Sequence, residues 1–189
     1  MPHTLEAFKI LDGITKRIRD TINPKSLLYI GWRHDARPWW HDKFSKDLGI
    51  ERISVLEVFP KNFRDLEHLV SARRYNVRPI LGDVRNIHLY TQVGEYDIIF
   101  WDHGPEHVSF DELNVVTRNL IRFAGSMLLY CCPWGIWPQG IEDGNEHEEH
   151  KNSISASQLT NLGMDVMCIN SQGIGNSGEL IAYKMKGGK

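Results

Sequence analysis

Short apolar runs alternate regularly with stretches of helical periodicity, and this alternation constrains the fold more than any other feature of the sequence. The runs suit strands that are buried on both faces, because they are six to eight residues long and mostly apolar. They lie at residues 26–31, 52–59, 77–83, 96–102, 125–132, 164–169 and 179–185. Strands that alternate with helices favour right-handed βαβ crossovers and a parallel sheet.

The helices between these runs carry their own start and stop signals. Apolar residues recur at three- and four-residue steps over residues 4–21, 38–48, 63–70 and 113–123. Ser109 with Glu112, and Ser155 with Gln158, have the spacing of capping boxes. Gly125 is predicted to be the C′ residue that follows the last helix residues.

The last two predicted strands are joined by residues 170–178, which show no helical pattern, so a hairpin is expected there. The sequence therefore predicts an α/β fold: three layers, Rossmann-like, with a seven-stranded, mostly parallel sheet and one antiparallel C-terminal strand. We expect a single domain over residues 1–189, with an N-terminal helix within 1–24. Residues 133–152 have no clear period and are expected to form a long covering loop of functional importance.

Composition narrows the classes of protein. Twenty-two Lys and Arg against 24 Asp and Glu give a net charge of −2, which argues against general nucleic-acid binding. No run of about 18 uncharged apolar residues predicts a membrane span, and no secretory signal is seen at the N-terminus. Three Cys, of which Cys131 and Cys132 are adjacent, fit a reducing compartment. We expect a cytoplasmic monomer or homodimer.

Unusual residues gather where the predicted strands end. Ligands of open α/β sheets bind beyond the carboxyl ends of the strands, where the strand order reverses. Those ends carry the segments Gly31–Trp40, Glu57, Gly82–Asp83, Asp102–His107 and Cys131–Gly135. One edge of the sheet is thus the predicted site.

Over residues 26–185 the chain resembles the class I S-adenosylmethionine-dependent methyltransferases. The resemblance rests on Glu57 closing strand two, on Gly82 and Asp83 closing strand three, and on the segments YDIIFWDHGPEHV and CCPWGIWPQG. It implies S-adenosylmethionine as the cofactor. It also implies methyl transfer to an oxygen or nitrogen of a small-molecule acceptor.

The resemblance assigns the cofactor contacts. Glu57 is expected to bind the two ribose hydroxyls, because a carboxylate accepts two hydrogen bonds from a diol. Asp83 is expected beside the adenine. As alternatives, Glu57 is a solvated acid and Asp83 a turn residue. The expected cofactor-binding residues are Gly31, Arg33, Glu57, Val58, Asp83, Val84 and Asp102.

The first loop departs from the family pattern D/E-x-G-x-G-x-G. Tyr29 stands at the acid position, and Arg33 and Asp35 stand at two glycine positions. One interpretation is compensation, in which Arg33 or Arg37 pairs with the cofactor carboxylate. The other is loss of the cofactor, which leaves a non-catalytic binding module.

Asp102, His103 and His107 follow strand four and are the candidate catalytic bases, because His titrates near neutral pH. Their alternative role is to cap or orient the loop. In the covering loop, Trp134, His147 and His150 are expected to close over substrate. The tryptophans alternatively fill the gap between loop and sheet.

The histidine spacing also permits a metal. His103, His107, His147 and His150, joined by Glu106, Glu146 or Glu149, are compatible with a divalent ion, and a metal-dependent hydrolase stays an alternative. However, His147-Glu148-Glu149-His150 is one residue shorter than H-E-x-x-H. The methyltransferase interpretation assigns no metal ligand.

Overall fold

The computed structural model describes residues 5–32, 46–72, 76–170 and 178–187. Its strands are β1 (Ser26–Ile30), β2 (Arg52–Glu57), β3 (Arg78–Leu81), β4 (Ile98–Asp102), β5 (Met127–Trp134), β6 (Asp165–Asn170) and β7 (Gly178–Met185). Its α-helices are α1 (Leu5–Ile22), α2 (Pro60–Ser71), α3 (Phe110–Phe123) and α4 (Ala156–Thr160). Short 3₁₀ helices span Val84–Leu89, Pro105–His107 and Glu146–Glu148.

All seven strands form one sheet in the order β3-β2-β1-β4-β5-β7-β6. Strands β1 to β5 pair in parallel, and β7 runs antiparallel to both β5 and β6. The predicted fold class is therefore confirmed, including the single antiparallel strand. The strand order reverses between β1 and β4, so the expected ligand crevice lies where these two strands end.

Alternate residues of each strand face opposite sides of the sheet, and both sides are covered. On one side Leu28, Ile99 and Tyr130 pack with residues of α3 and α4, among them Leu120 and Leu159. Since a parallel sheet is stable only when both faces are buried, this layer accounts for the continuous apolar character of the strands.

The opposite face is covered in two places. Helix α1 lays Leu11, Ile14 and Ile18 against the strands, as the three- and four-residue spacing of its apolar side chains predicts. A smaller cluster joins Trp32, Val55 and Leu66 of α2. Trp32 is therefore a core residue that holds the end of β1 against α2.

The caps agree with the sequence at one helix and only in part at another. The Ser109 hydroxyl accepts from the Glu112 N–H at 3.3 Å, and the Glu112 carboxylate accepts from the Ser109 N–H at 2.9 Å. This confirms the first capping box. The Ser155 hydroxyl accepts from the Gln158 N–H at 3.2 Å. In the described part of the chain, the Gln158 side chain does not accept in return from the Ser155 N–H, so this second capping box is incomplete.

Gly125 directly follows Ala124, the C-cap of α3, and so holds the predicted C′ position, although its φ is not positive. Glycine fits there because a Cβ would lie 3.0 Å from the Tyr96 carbonyl oxygen. One prediction near β5 was wrong. Strand β5 continues past residue 132 to Trp134, so the covering loop begins at 135. Trp134 fits in the strand because its partner is Gly178, where a Cβ would lie 2.7 Å from the indole nitrogen.

Residues 46–48 are helical, whereas the first part of the helix predicted over 38–48 lies outside the described residues. Within the described ranges, no helix combines the length and apolar character that crossing a bilayer requires.

Candidate functional site

The candidate site lies at the carboxyl ends of β1, β2, β3 and β4. Gly31 follows β1 with φ +93°, a left-handed conformation that side chains rarely adopt. Its N–H donates to the Leu56 carbonyl at 2.9 Å. The turn therefore needs glycine for its backbone conformation. Arg33 and Arg37, expected to reach the cofactor carboxylate, lie outside the described residues.

Glu57 is the last residue of β2 and is only 4% exposed. One carboxylate oxygen accepts from the Trp32 N–H at 2.6 Å, and the other accepts from the Phe59 N–H at 2.7 Å. Burial raises the pKa of Glu57 to about 7, although the backbone hydrogen bonds act in the opposite direction. Glu57 thus joins the turn after β1 to the start of α2.

Asp83 follows β3 and caps the 3₁₀ helix that starts at Val84. Its carboxylate accepts from the Arg85 N–H at 2.9 Å and forms an ion pair with the Arg85 guanidinium. Burial opposes ionisation, but the hydrogen bonds and charge of Arg85 lower the pKa of Asp83 below its usual value. The Val84 side chain packs into the core, so only its backbone faces the crevice. Val58 is half-buried beside Glu57.

Asp102, at the end of β4, is held from the neighbouring strand. The Tyr29 hydroxyl donates to an Asp102 carboxylate oxygen at 2.6 Å. Burial raises the pKa of Tyr29, and the Asp102 charge raises it further, so the hydroxyl keeps its proton. Tyr29, which stands where the family pattern has an acid, therefore donates a hydrogen bond to Asp102.

His103, Glu106 and His107 converge just after β4. His103 has φ +44°, and its Nδ1 lies 3.6 Å from Glu106 Oε1. His107 Nε2 lies 3.9 Å from the same oxygen. Burial would raise the pKa of Glu106, but the hydrogen bond of His103 and the charges of His107 and His103 lower it. The carboxylate is therefore ionised.

The covering loop adds His150 to this group. The His150 ring lies edge-on to the His107 ring, with 4.9 Å between centroids. The loop end is fixed to the same turn, because the Lys151 N–H donates to the Glu106 carbonyl at 2.9 Å. The other two predicted loop residues lie elsewhere: Trp134 belongs to β5, and His147 lies in the 3₁₀ helix Glu146–Glu148.

The covering loop also approaches the start of α2. A small cleft separates it from the start of α2. The residues that line this cleft are Phe59, Lys61, Asn62, Glu142, Asp143, Asn145 and Glu148. The cleft borders Glu57, because Phe59 is one of its two backbone donors.

Glu106 is absent from the catalytic and cofactor residues that the methyltransferase interpretation assigns, yet it lies at the centre of the histidine cluster. Its position between His103 and His107 in Asp-His-Gly-Pro-Glu-His was the available signal. The convergence depends on the fold, since His150 is distant in sequence and is brought in by the loop.

Solved structures with known ligands share this architecture. The DhpI–SAH complex is 16% identical with a TM-score of 0.60, and the match covers 95% of this chain and 86% of that one. The N-terminal domain of EvdMO1 with SAH bound is 13% identical with a TM-score of 0.63, covering 92% and 79%. Magnesium protoporphyrin IX methyltransferase (ChlM) from Synechocystis PCC 6803 with bound SAM is 11% identical with a TM-score of 0.58, covering 93% and 78%.

No protein-family model matches the sequence, and no curated protein matches it. Similarity at 11–16% identity defines the fold and leaves activity open. The strand order and these neighbours together identify the fold of this chain as that of the class I S-adenosylmethionine-dependent methyltransferases.

Proposed function

We propose that this chain is an S-adenosylmethionine-dependent methyltransferase that methylates an oxygen or nitrogen of a small-molecule acceptor. The observation that carries the proposal is Glu57, an acid at the end of β2 beside the strand-order reversal, in a fold whose solved neighbours hold SAH or SAM. Ligands of such sheets bind at that reversal.

The residues present suit the nucleoside part of this cofactor. The two backbone donors of Glu57 use one lone-pair position on each oxygen. A carboxylate has about four such positions, so two remain for the hydroxyls of a ribose. Gly31 keeps side-chain atoms away from the turn beside it. Asp83, Val58 and Val84 would line the adenine side, the valines through their backbone.

Bound S-adenosylmethionine would supply an activated methyl group. The work left to the chain is to orient the acceptor and to remove its proton. His103 is our candidate for proton removal, because its side chain is 26% exposed and its Nδ1 faces the ionised Glu106 at 3.6 Å. Its Nε2, the atom that would take the proton, is buried in the described conformation, so the acceptor reaches it only when the covering loop moves. A carboxylate in that position orients an imidazole and strengthens it as a base. Tyr29 fixes Asp102 next to it.

The covering loop has two expected roles in this function. When closed, it excludes water from the crevice. In the conformation described, it lies against the start of α2 and leaves only a small cleft beside Glu57. Entry of a nucleoside therefore requires the loop to move away from α2.

The second candidate function is a non-catalytic binding module with the same fold. It is favoured by the 4% exposure of Glu57 and by the use of Tyr29, at the position of the family's acid, as a donor to Asp102. In that case the carboxylate of Glu57 only joins the turn to α2.

Calorimetric titration with S-adenosylhomocysteine separates the two functions. At pH 8, above the pKa of about 7 that burial gives Glu57, the methyltransferase proposal expects saturable binding. Glu57→Ala should weaken it by about 1.5–3 kcal/mol, which is about 10–150-fold, because hydrogen bonds to a charged group are lost. Glu51→Ala is the matched control, since Glu51 is an exposed acid at the start of the same strand and pairs with Lys25. Absence of heat and of a thermal shift at millimolar ligand favours the binding module. Equal affinity of folded Glu57→Ala contradicts the role of Glu57.

A further inference from the structure

We infer that Glu106, His107 and His150 form a binding site for one divalent transition-metal ion, which fastens the covering loop to the turn after β4. One ligand atom from each of these residues lies within 4.8 Å of the others. Two imidazoles and one carboxylate are a ligand set that proteins use for zinc and for other first-row ions. The inference is independent of the proposed methyl transfer.

The hydrogen bonds of the two imidazoles prepare them as ligands. His107 Nδ1 lies 3.2 Å from the Glu149 carbonyl oxygen, and His150 Nδ1 bonds the Trp137 carbonyl oxygen. A carbonyl accepts only, so each Nδ1 carries the proton and donates it. In the neutral ring the lone pair is then on Nε2. This pattern, with Nδ1–H held by a carbonyl, is typical of histidines that bind a metal through Nε2.

Glu106 supplies the second, independent observation. The residue is 2% exposed, and its Oε2 has no hydrogen-bond partner within the described part of the chain. A buried carboxylate is costly unless a charge or several hydrogen bonds compensate it. His107 Nε2 faces the other oxygen at 3.9 Å. Protonated on both nitrogens, His107 pairs with this oxygen as an imidazolium; in the neutral ring the Nε2 lone pair faces the carboxylate, and a metal ion between them would bind both groups.

A cation fits if the ligand atoms draw closer together. Metal–nitrogen and metal–oxygen bonds of about 2.0–2.1 Å place tetrahedral ligand atoms about 3.3 Å apart. The His107–Glu106 pair at 3.9 Å must close by about half an ångström, and because all three ligand atoms lie within 4.8 Å of one another, no pair must close by more than about 1.5 Å. His103 would not bind the ion itself. Its Nδ1 lies 3.6 Å from Glu106 Oε1 and would orient the carboxylate that does.

The ligands come from two segments, and this suggests what the ion does. Glu106 and His107 lie in the 3₁₀ helix after β4, whereas His150 lies at the end of the covering loop. The Lys151 and Asn152 N–H groups already hold the loop end to the Glu106 carbonyl by hydrogen bonds. The ion would add a second link between the loop and the turn after β4, and this link would depend on the metal concentration. Loss of the ion would therefore loosen the loop that covers Glu57.

The test uses full-length protein without a polyhistidine tag, dialysed against a chelator and then titrated with ZnCl₂ by calorimetry. Wild type is expected to bind one equivalent. Glu106→Gln and His150→Asn are each expected to weaken binding by more than the roughly 10–100-fold that loss of an outer-shell partner costs. His147→Asn, a loop histidine outside the cluster, is the control and should bind as wild type does.

A second readout follows the loop directly. Zinc is expected to slow tryptic cleavage after Lys151 in wild type and in His147→Asn, but not in His150→Asn, with the cleaved bond identified by mass spectrometry. If Glu106→Gln does not fold, His150→Asn alone is sufficient for the test. We expect this variant to fold, because His150 is only half-buried and lies in a loop. Absence of zinc binding to wild type, unchanged affinity in both ligand variants, or stoichiometric binding without protection of Lys151 would each overturn the inference.

Discussion

The Tyr29 hydroxyl donates a hydrogen bond of 2.6 Å to Asp102, which joins the neighbouring strands β1 and β4 where the strand order reverses. The bond holds the Asp102 side chain in a fixed position at the centre of the candidate site. It also explains why an aromatic residue is tolerated at the position of the family's acid. The Tyr29 ring packs edge-on against Phe100, with 5.3 Å between centroids, and its hydroxyl reaches the rim.

Tyr29→Phe should lower the free energy of unfolding by about 1–3 kcal/mol, because the ring stays while a short, partly buried hydrogen bond is lost and Asp102 loses a donor. Urea titration measures the change. Tyr183→Phe is the matched control: its hydroxyl accepts from Arg17 at 3.2 Å in an exposed position, so its loss should cost about 0.5 kcal/mol or less. Equal effects of the two substitutions would show that the Tyr29–Asp102 bond adds nothing to stability.

Glu57 predicts a pH dependence of stability. Its pKa is raised by burial to about 7 in the folded chain, against 4.5 as the ordinary value. A raised pKa means that the folded state favours the protonated acid. The contribution of Glu57 is therefore fully present below about pH 4.5 and is lost as the pH rises through 7, by a total of about 3 kcal/mol.

Glu57→Gln removes this titration, although it leaves one of the two backbone N–H groups poorly satisfied. The informative quantity is the difference in unfolding free energy between variant and wild type at pH 5 and at pH 8. The free energy of unfolding of the variant should rise relative to that of wild type as the pH rises. Parallel curves over this range would contradict a raised pKa for Glu57. Glu51→Gln, with an exposed acid, should give such parallel curves.

Two glycines should respond to alanine with opposite signs. A Cβ at Gly104 would lie 1.7 Å from the indole nitrogen of Trp101, which is buried in the core. Gly104→Ala should therefore destabilise the fold by about 1–3 kcal/mol through overpacking. Gly13 lies in α1 with nothing within 4 Å of a Cβ, so Gly13→Ala should stabilise by about 0.5–1 kcal/mol.

Urea unfolding measures both glycine variants. Near-ultraviolet circular dichroism should also change in Gly104→Ala, because Trp101 packs edge-on against Tyr130. A Gly104→Ala variant as stable as wild type would mean that the turn after β4 moves freely, which is incompatible with its placement of Glu106 and His107.

Sequence predicted the strands well because each is an apolar run bounded by Gly or Pro, and because alternating strands and helices allow few topologies. It missed the end of β5 because Pro133 and Trp134 resemble a loop. Their place in the strand depends on Gly178, 44 positions beyond Trp134 and directly opposite it in β7. Local pattern carries no information about such a partner.

The candidate site also combines residues that the sequence predicts with contacts that it does not predict. The acids at strand ends, Glu57 and Asp83, are visible in sequence because their position follows from the strands. The bond of Tyr29 to Asp102 and the convergence of His150 on Glu106 join segments distant in sequence. These contacts follow from which strands are neighbours and where the covering loop folds back, so only the three-dimensional structure reveals them.

The capping box of α3 predicts how the chain responds to acid. The hydrogen bond from the Ser109 backbone N–H, then the Ser109 side chain and Arg85, lower the pKa of Glu112 to about 2. A lowered pKa stabilises the fold above the ordinary value of 4.5, and this stabilisation is lost as the pH falls from there towards 2. The Glu112 side chain is 39% exposed, so solvent screening limits the effect to about 1 kcal/mol or less.

Glu112→Gln keeps an acceptor at the third helical position, where Gln also completes a capping box, but it does not ionise. Its stability should therefore fall less steeply than that of wild type between pH 5 and pH 3, measured by urea unfolding at each pH. Ser109→Ala removes the cap itself and should cost about 1 kcal/mol at neutral pH. If Glu112→Gln and wild type lose stability in parallel towards acid, the carboxylate of Glu112 is not held ionised by the cap.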